Sequence, residues 1–327
     1  MIRVKIRPRS DSNSMMKIVF LDKSTVGNVS NLELLKEFGE VIYYEVTHAD
    51  QTIERSSDAD IIITNKVIID KKVMDTNPGI KLICIAATGM NNVDLDCAAE
   101  KGIVVRNVSG YSTFSVTQST FAMLFSLLNS IHYYDHYVKS GSYSRSPIFT
   151  NHGREFAEIK GMTFGIIGLG VIGKSVAKIA EAFGCRVVYH STSGKNTSQS
   201  YPCLGLDELL SESDIVSIHA PLNEQTDNLI DLNQLKIMKP TAVLINAGRG
   251  NIVNETGLAH AIDNEIIAGA ALDVFGHEPI QADNPLLKIR RKENLILAPH
   301  IAWASKESRE TLIKGIHQNI AEFIDHA

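Results

Sequence analysis

The chain has 327 residues, a formal net charge of -5, 44% hydrophobic residues and 21% charged residues. That length exceeds what one hydrophobic core usually organises, so two domains are expected. The mild acidity points away from a nucleic-acid surface, and no apolar run, "FAMLFSLL" included, reaches the roughly 20 residues of a membrane helix.

Residues 1–15, "MIRVKIRPRSDSNSM", lack the apolar centre of a secretory signal and read as a loose N-terminal extension. From there "KIVFLD", "VIYYEV", "DIIITN", "KLICIAATG" and "IVVRNV" are short apolar runs expected as buried strands, with "NLELLKEF" and "VDLDCAAEKG" as helices between them. After "GYST" one long helix is expected over about 115–140, followed by a polar connector to Lys160. A second alternating series opens at "MTFGIIGLG" and continues through "RVVYH", "DIVSIHA", "AVLINAG", "IAGAALDVF" and "LILAPH". The tail from Ser305 carries Leu312, Ile313, Ile316, Ile320, Phe323 and Ile324 at helical spacing. Such alternation predicts an α/β protein with two doubly wound parallel sheets. The cysteines, Cys84, Cys97, Cys185 and Cys203, form no C-x-x-C pair and read as reduced packing residues of a cytoplasmic protein, with no metal site.

"GLGVIG" follows an apolar strand and precedes an amphipathic helix, the context in which a G-x-G-x-x-G loop binds a dinucleotide. Gly168 serves the tight turn, Gly170 the close approach of a pyrophosphate and Gly173 the packing of helix on strand, with Val171 and Ile172 completing the loop. The anion would sit at a helix N-terminus. The next strand ends in His190, Ser191, Thr192 and Ser193, with Lys195 close behind, where an acidic residue usually holds the ribose. Neutral hydroxyls and a cation remove the repulsion a 2'-phosphate would meet, so NADP(H) is favoured over NAD(H). A polar turn that tolerates NADH through backbone contacts is the alternative.

Three polar residues follow later strands: Arg249 in "NAGRG", Glu278 in "LDVFGHEP" and His300 in "LAPHIAW". Ligand sites in open α/β sheets lie beyond the carboxyl ends of strands. With the glycine loop, these residues resemble the D-isomer-specific 2-hydroxyacid dehydrogenase family from about Met16 onward. "ATGMNNVD", "NVSGYST", "HAPL" and "HIAWAS" are most similar to its hydroxypyruvate reductase and glycerate dehydrogenase branch.

The resemblance implies a cofactor domain of Rossmann type, residues 112–300, inserted in a flavodoxin-like substrate domain made of residues 16–111 and 301–327, with a cleft that closes on cofactor. It implies NAD(P)H-dependent reduction of hydroxypyruvate or glyoxylate to D-glycerate or glycolate. Arg249 would clamp the substrate, His300 donate the proton and Glu278 orient the imidazole. It further assigns Asn65, Lys66, Gly89 and Met90 to the substrate carboxylate, and Asp273 to the nicotinamide carboxamide. His219, Ala220, Pro221 and Thr226 would line the adenosine side, with Val116 and Ala247 against the nicotinamide. The helix at about 115–140 would form a homodimer interface. Phe114 stands where relatives commonly carry an acid, and "VSG" where "VPG" is usual. Formate dehydrogenases of this fold pair their histidine with glutamine, which Glu278 opposes. A non-catalytic dinucleotide-sensing protein of the same fold is the remaining alternative.

Overall fold

A computed structural model describes residues 15–326, so the expected N-terminal extension lies outside the described residues apart from Met15. The chain divides into two compact units: one runs to Ser112 and resumes at Ala304, and the other is Thr113–Trp303.

In the first unit, strands β1 (Met16–Phe20), β2 (Gly39–Tyr43), β3 (Ile61–Thr64), β4 (Leu82–Ile85) and β5 (Val104–Asn107) form a parallel sheet in the order β2-β1-β3-β4-β5. Every residue of β3 and β4 is buried, which explains their unbroken apolar runs: a parallel sheet is covered on both faces. The helices α1 (Thr52–Ser56), α2 (Lys71–Thr76) and α3 (Leu95–Glu100) are short. Asp70 caps α2 through Val73 N–H and Asp94 caps α3 through Cys97 N–H. "NLELLKEF" forms a 3-10 helix, Leu32–Phe38, rather than the expected α-helix. Its inward-turned Leu32, Leu35 and Phe38 recur every three residues, the period of the tighter turn. The C-terminal helix, Lys306–Asp325, completes this unit by packing on β4 and β5 with Leu312, Ile313, Ile316 and Ile320 fully buried.

The second unit contains β6 (Thr163–Ile167), β7 (Arg186–His190), β8 (Ile215–Ile218), β9 (Val243–Asn246), β10 (Gly269–Leu272) and β11 (Leu295–Leu297), all parallel, in the order β11-β10-β9-β8-β6-β7. Cys203 forms a single parallel bridge with Tyr189 on the outer side of β7. Counted as a one-residue strand, it gives the doubly wound order 3-2-1-4-5-6 that binds dinucleotides, extended by one strand. Helices α4 (Thr113–Leu128), α5 (Ile131–Lys139), α6 (Val171–Ala182), α7 (Leu206–Glu212), α8 (Leu232–Ile237) and α9 (Glu255–Asp263) accompany the sheet.

The single helix expected over 115–140 is therefore two. Ser130 adopts the left-handed conformation (φ 49°, ψ 40°), which interrupts the i to i-4 ladder between α4 and α5. The two pieces also differ in burial. On α4, Phe121, Met123, Leu124 and Leu127 belong to the unit's own core, where Phe121 meets the rings of Phe125, Phe164 and Phe183. No residue of α5 is buried. Exposed apolar surface lies on Phe114 at the start of α4, on Ile131 and Val138 of α5 and on Ile148, Phe149 and Phe156 beyond it. Among the described residues, no helix is long and apolar enough to cross a membrane.

Candidate active site

The glycine loop joins β6 to α6. Gly168 has φ 92°, and a Cβ there would lie 2.8 Å from Ala220 N, so both conformation and space require glycine. A Cβ on Gly173 would strike Gly168 O, which is how α6 closes on the loop. At Gly170 a Cβ would meet nothing within 4 Å. This open position sits at the N-cap of α6, where no side chain caps the helix and no acid occupies the first turn. Uncapped N–H groups under open space suit a pyrophosphate, so the residues present fit a dinucleotide.

At the end of β7, His190 Nδ1 donates to Leu204 O at 3.1 Å. Ser191 Oγ accepts from Asn196 N and Ser193 Oγ from Lys195 N, around Gly194 at φ 65°. Both hydroxyls thus act as acceptors towards their own turn, which leaves each O–H as a donor. Thr192 is half-buried and Lys195 is exposed; residues 190–196 contain no acid. Asn196 Nδ2 donates to Leu169 O, tying this turn to the glycine loop.

After β8, His219 Nε2 lies 2.8 Å from Ser217 Oγ while Nδ1 is buried without a hydrogen-bond partner. Burial pushes the His219 imidazole down to about 4, so it is neutral at pH 7. Ala220 is buried and Pro221 exposed. Thr226 is fully buried, its hydroxyl donating to Pro221 O and accepting from Asn223 N. It shapes the 221–226 loop from within.

The turn after β9 presents Arg249. Asn246, fully buried, donates through Nδ2 to Arg249 O at 2.9 Å and accepts Gly248 N–H at 3.0 Å, clipping the turn on both sides. Ala247, half-buried, stands between. Gly250 packs so tightly that a Cβ would strike the Phe275 carbonyl and Gly276 N. The Arg249 turn is thereby pressed against the loop that follows β10. In that loop Glu278 accepts Phe275 N–H through Oε1 and meets His300 Nδ1 through Oε2 at 2.7 Å. Glu255, at the start of α9, steadies the same loop by accepting Gly276 N–H and Asn284 Nδ2.

His300 follows β11 in the left-handed region, φ 53°, a strained conformation for a residue with a Cβ. Asp273 sustains it: Asp273 O accepts His300 N–H at 2.7 Å, and the carboxylate accepts Ile301 N–H at 2.8 Å and Ala302 N–H at 2.9 Å. Burial pushes the Asp273 carboxyl up, opposed by those two backbone N–H groups and by His300. Ala302 O accepts in turn from Ser115 Oγ at 2.6 Å, which joins the start of α4 to the histidine turn. Val116 beside it is buried.

In the first unit, Asn65 and Lys66 follow β3 in a turn whose backbone points at a buried carboxylate. Asp22 accepts the N–H groups of Asn65 (2.9 Å), Lys66 (2.6 Å) and Val67 (3.3 Å). Burial pushes its carboxyl up and these bonds oppose the shift. Asn65 is buried, whereas Lys66 is exposed. The loop after β4, with Gly89 and Met90, lies alongside: Asn92 Nδ2 donates to Val67 O and Ile69 N–H to Asn92 O. Among the described residues no cluster of His, Cys, Asp and Glu could hold a metal ion.

The family model described as "D-isomer specific 2-hydroxyacid dehydrogenase, NAD binding domain" matches residues 121–302. The chain belongs to the D-isomer-specific 2-hydroxyacid dehydrogenase family. It is an NAD(P)-dependent oxidoreductase. The enzyme is 36% identical to a hydroxypyruvate reductase of Blautia hydrogenotrophica, over 94% of this chain and 97% of that protein. It is 35% identical to a glycerate dehydrogenase of Methylorubrum extorquens, over 94% and 96%. The solved structure of an NADPH-dependent glyoxylate/hydroxypyruvate reductase from Sinorhizobium meliloti, in complex with NADP and malonate, superposes with a TM-score of 0.81 at 26% identity, covering 95% of this chain and 94% of that one. Both parallel sheets are those of this enzyme class.

Within the second unit the structure brings Glu278 against His300 and packs the Arg249 turn on the Glu278 loop. Asp22, Asn246, Glu255 and Asn196 are the residues that sequence reasoning missed. Asp22, Glu255 and Asn196 hold backbone or amide groups of a distant turn, and Asn246 clips the turn that it opens.

Proposed function

We propose that the enzyme reduces small 2-oxo acids, with hydroxypyruvate and glyoxylate as first candidates, to the D-2-hydroxy acids D-glycerate and glycolate, and catalyses the reverse reaction. The observation that carries this reading is the 2.7 Å contact of His300 Nδ1 with Glu278. A carboxylate on Nδ1 fixes the tautomer and the orientation of the ring, which leaves Nε2 to deliver a proton to the carbonyl oxygen and to take it back in oxidation. Arg249 binds the substrate carboxylate through its guanidinium fork and polarises the carbonyl. Lys66 and the Gly89–Met90 loop add further contacts to that carboxylate.

A bound nicotinamide nucleotide supplies the hydride. Gly168, Gly170, Val171, Ile172 and Gly173 hold its pyrophosphate, and the loop of His219, Ala220, Pro221 and Thr226 lies on its adenosine side. Asp273, Ala247 and Val116 face the nicotinamide, and a carboxylate oxygen already accepting one N–H has a lone pair for a carboxamide. Two serine hydroxyls and Lys195, with no acid among residues 190–196, favour NADPH over NADH. The S. meliloti reductase, bound to NADP, supports that preference. We assign the enzyme to the cytoplasm, where its free cysteines remain reduced. We also assign the exposed apolar face of α5 and residues 143–156, with a groove of about 750 Å³ lined by Tyr137, Tyr143, Phe149 and Phe156, to contact with a second copy.

Initial rates of reduced-nicotinamide consumption, with hydroxypyruvate, glyoxylate and pyruvate each paired with NADPH and NADH, test the reading. Fast turnover of hydroxypyruvate or glyoxylate with NADPH is expected. No turnover with any pair despite cofactor binding would refute it.

A further inference from the structure

The turn that presents Lys66 offers no backbone N–H from residues 65–67 to an anion. All three point inward to the carboxylate of Asp22, which stands two residues beyond the end of β1 and is 4% exposed. Thr64 Oγ1 closes the same turn by donating to Val67 O at 3.2 Å. A carboxylate that accepts three N–H groups in a buried setting makes short, charge-assisted bonds, and removing the charge strands donors away from water. Lys66 itself is exposed. A flexible ammonium gains directional use only if the backbone beneath it is fixed.

From this geometry we propose that Asp22 is a positioning residue for substrate recognition: it holds the 65–67 turn so that Lys66, by its side chain alone, meets the substrate's carboxylate. The inference rests on the assignment of Lys66 made above. Its effect extends to the neighbouring loop, because Val67 O receives Asn92 Nδ2 and Ile69 N–H donates to Asn92 O. A displaced turn therefore also disturbs the loop of Gly89 and Met90. The glycine loop and the His300–Glu278 pair belong to the other unit.

The test is steady-state kinetics on Asp22→Asn, Lys66→Met and the double variant, with cofactor affinity measured by nicotinamide fluorescence. Asp22→Asn is expected to raise KM for hydroxypyruvate at least about tenfold, with kcat within about threefold and cofactor Kd within about twofold. The double variant is expected within about twofold of Lys66→Met, since both changes remove one interaction. An unchanged KM in Asp22→Asn, or penalties that multiply in the double variant, would overturn the role of Asp22. An unchanged KM in Lys66→Met would overturn the assignment of Lys66 itself, a failure visible without any change at Asp22. If Asp22→Asn does not fold, hydrogen exchange on the wild-type enzyme decides. Protected amides at Asn65, Lys66 and Val67 support the proposal, and exchange at unprotected rates overturns it.

Discussion

Gly250→Ala tests whether the Arg249 turn and the Glu278 loop act as one piece. The added methyl would overlap the Phe275 carbonyl and Gly276 N, both of them backbone, so no rotamer change relieves it. Restoring ordinary contact requires the two loops to separate by about 1 Å or more. The Glu278–His300 contact would then stretch from 2.7 Å to beyond hydrogen-bond range. A misplacement of that size costs on the order of 10²-fold in rate, about 2.7 kcal/mol of barrier. The overpacking itself costs about 1–3 kcal/mol of stability, which a domain of ordinary stability survives. The expected outcome is a folded variant, by circular dichroism and calorimetry, whose kcat/KM for hydroxypyruvate falls about a hundredfold. A folded Gly250→Ala enzyme with kcat/KM within about threefold of wild type would show that the two loops are not coupled through this contact.

His300→Ala should lower kcat by about 10²- to 10⁴-fold with cofactor affinity unchanged, as measured by turnover and fluorescence titration, because the proton donor is lost while the glycine loop stays intact. Ser191→Asp should weaken NADPH more than NADH; equal loss of both would remove the explanation offered for residues 190–196. The His219 imidazole is held at about 4 in the folded state, so between pH 6.5 and 4 the unfolded chain takes the proton first and stability falls with pH. His219→Gln, which carries no titratable group, should recover about 3 kcal/mol of that loss in urea unfolding at pH 4, and parallel pH curves for the two proteins would refute it. Phe149→Asp with Phe156→Asp should shift the sedimentation coefficient to that of a monomer; an unmoved boundary would place the second copy elsewhere.

The central strands were legible because they are buried on both faces and so read as continuous apolar runs, as "IIIT" and "IVSI" do. Arg249, Glu278 and His300 were legible because the sheet topology forces polar residues after successive strands towards one edge. Asp22 was not, since its partners lie more than forty residues away and are backbone N–H groups that any sequence carries. Glu255 holds its loop in the same anonymous way, from 21 residues off. The break at Ser130 was hidden because "SLLNSIHYY" keeps helical spacing through it, while only the tertiary setting selects a left-handed residue there. The short strand at Cys203 contributes one bridge, too little for any periodicity to register.

The first unit owes part of its core to the end of the chain, and that bears on how the protein is made. Four fully buried residues, Leu312, Ile313, Ile316 and Ile320, reach it from the C-terminal helix, whose Gly315 would meet Val108 at 2.5 Å if it carried a Cβ. The second unit, Thr113–Trp303, is contiguous and complete once Trp303 has left the ribosome. During synthesis the first 112 residues therefore wait, with one face of β4 and β5 uncovered, until the last two dozen emerge. The second unit can therefore finish folding before the first, although it is made later. Chaperone contact with nascent chains should fall on β4 and β5, and end when the C-terminal helix docks.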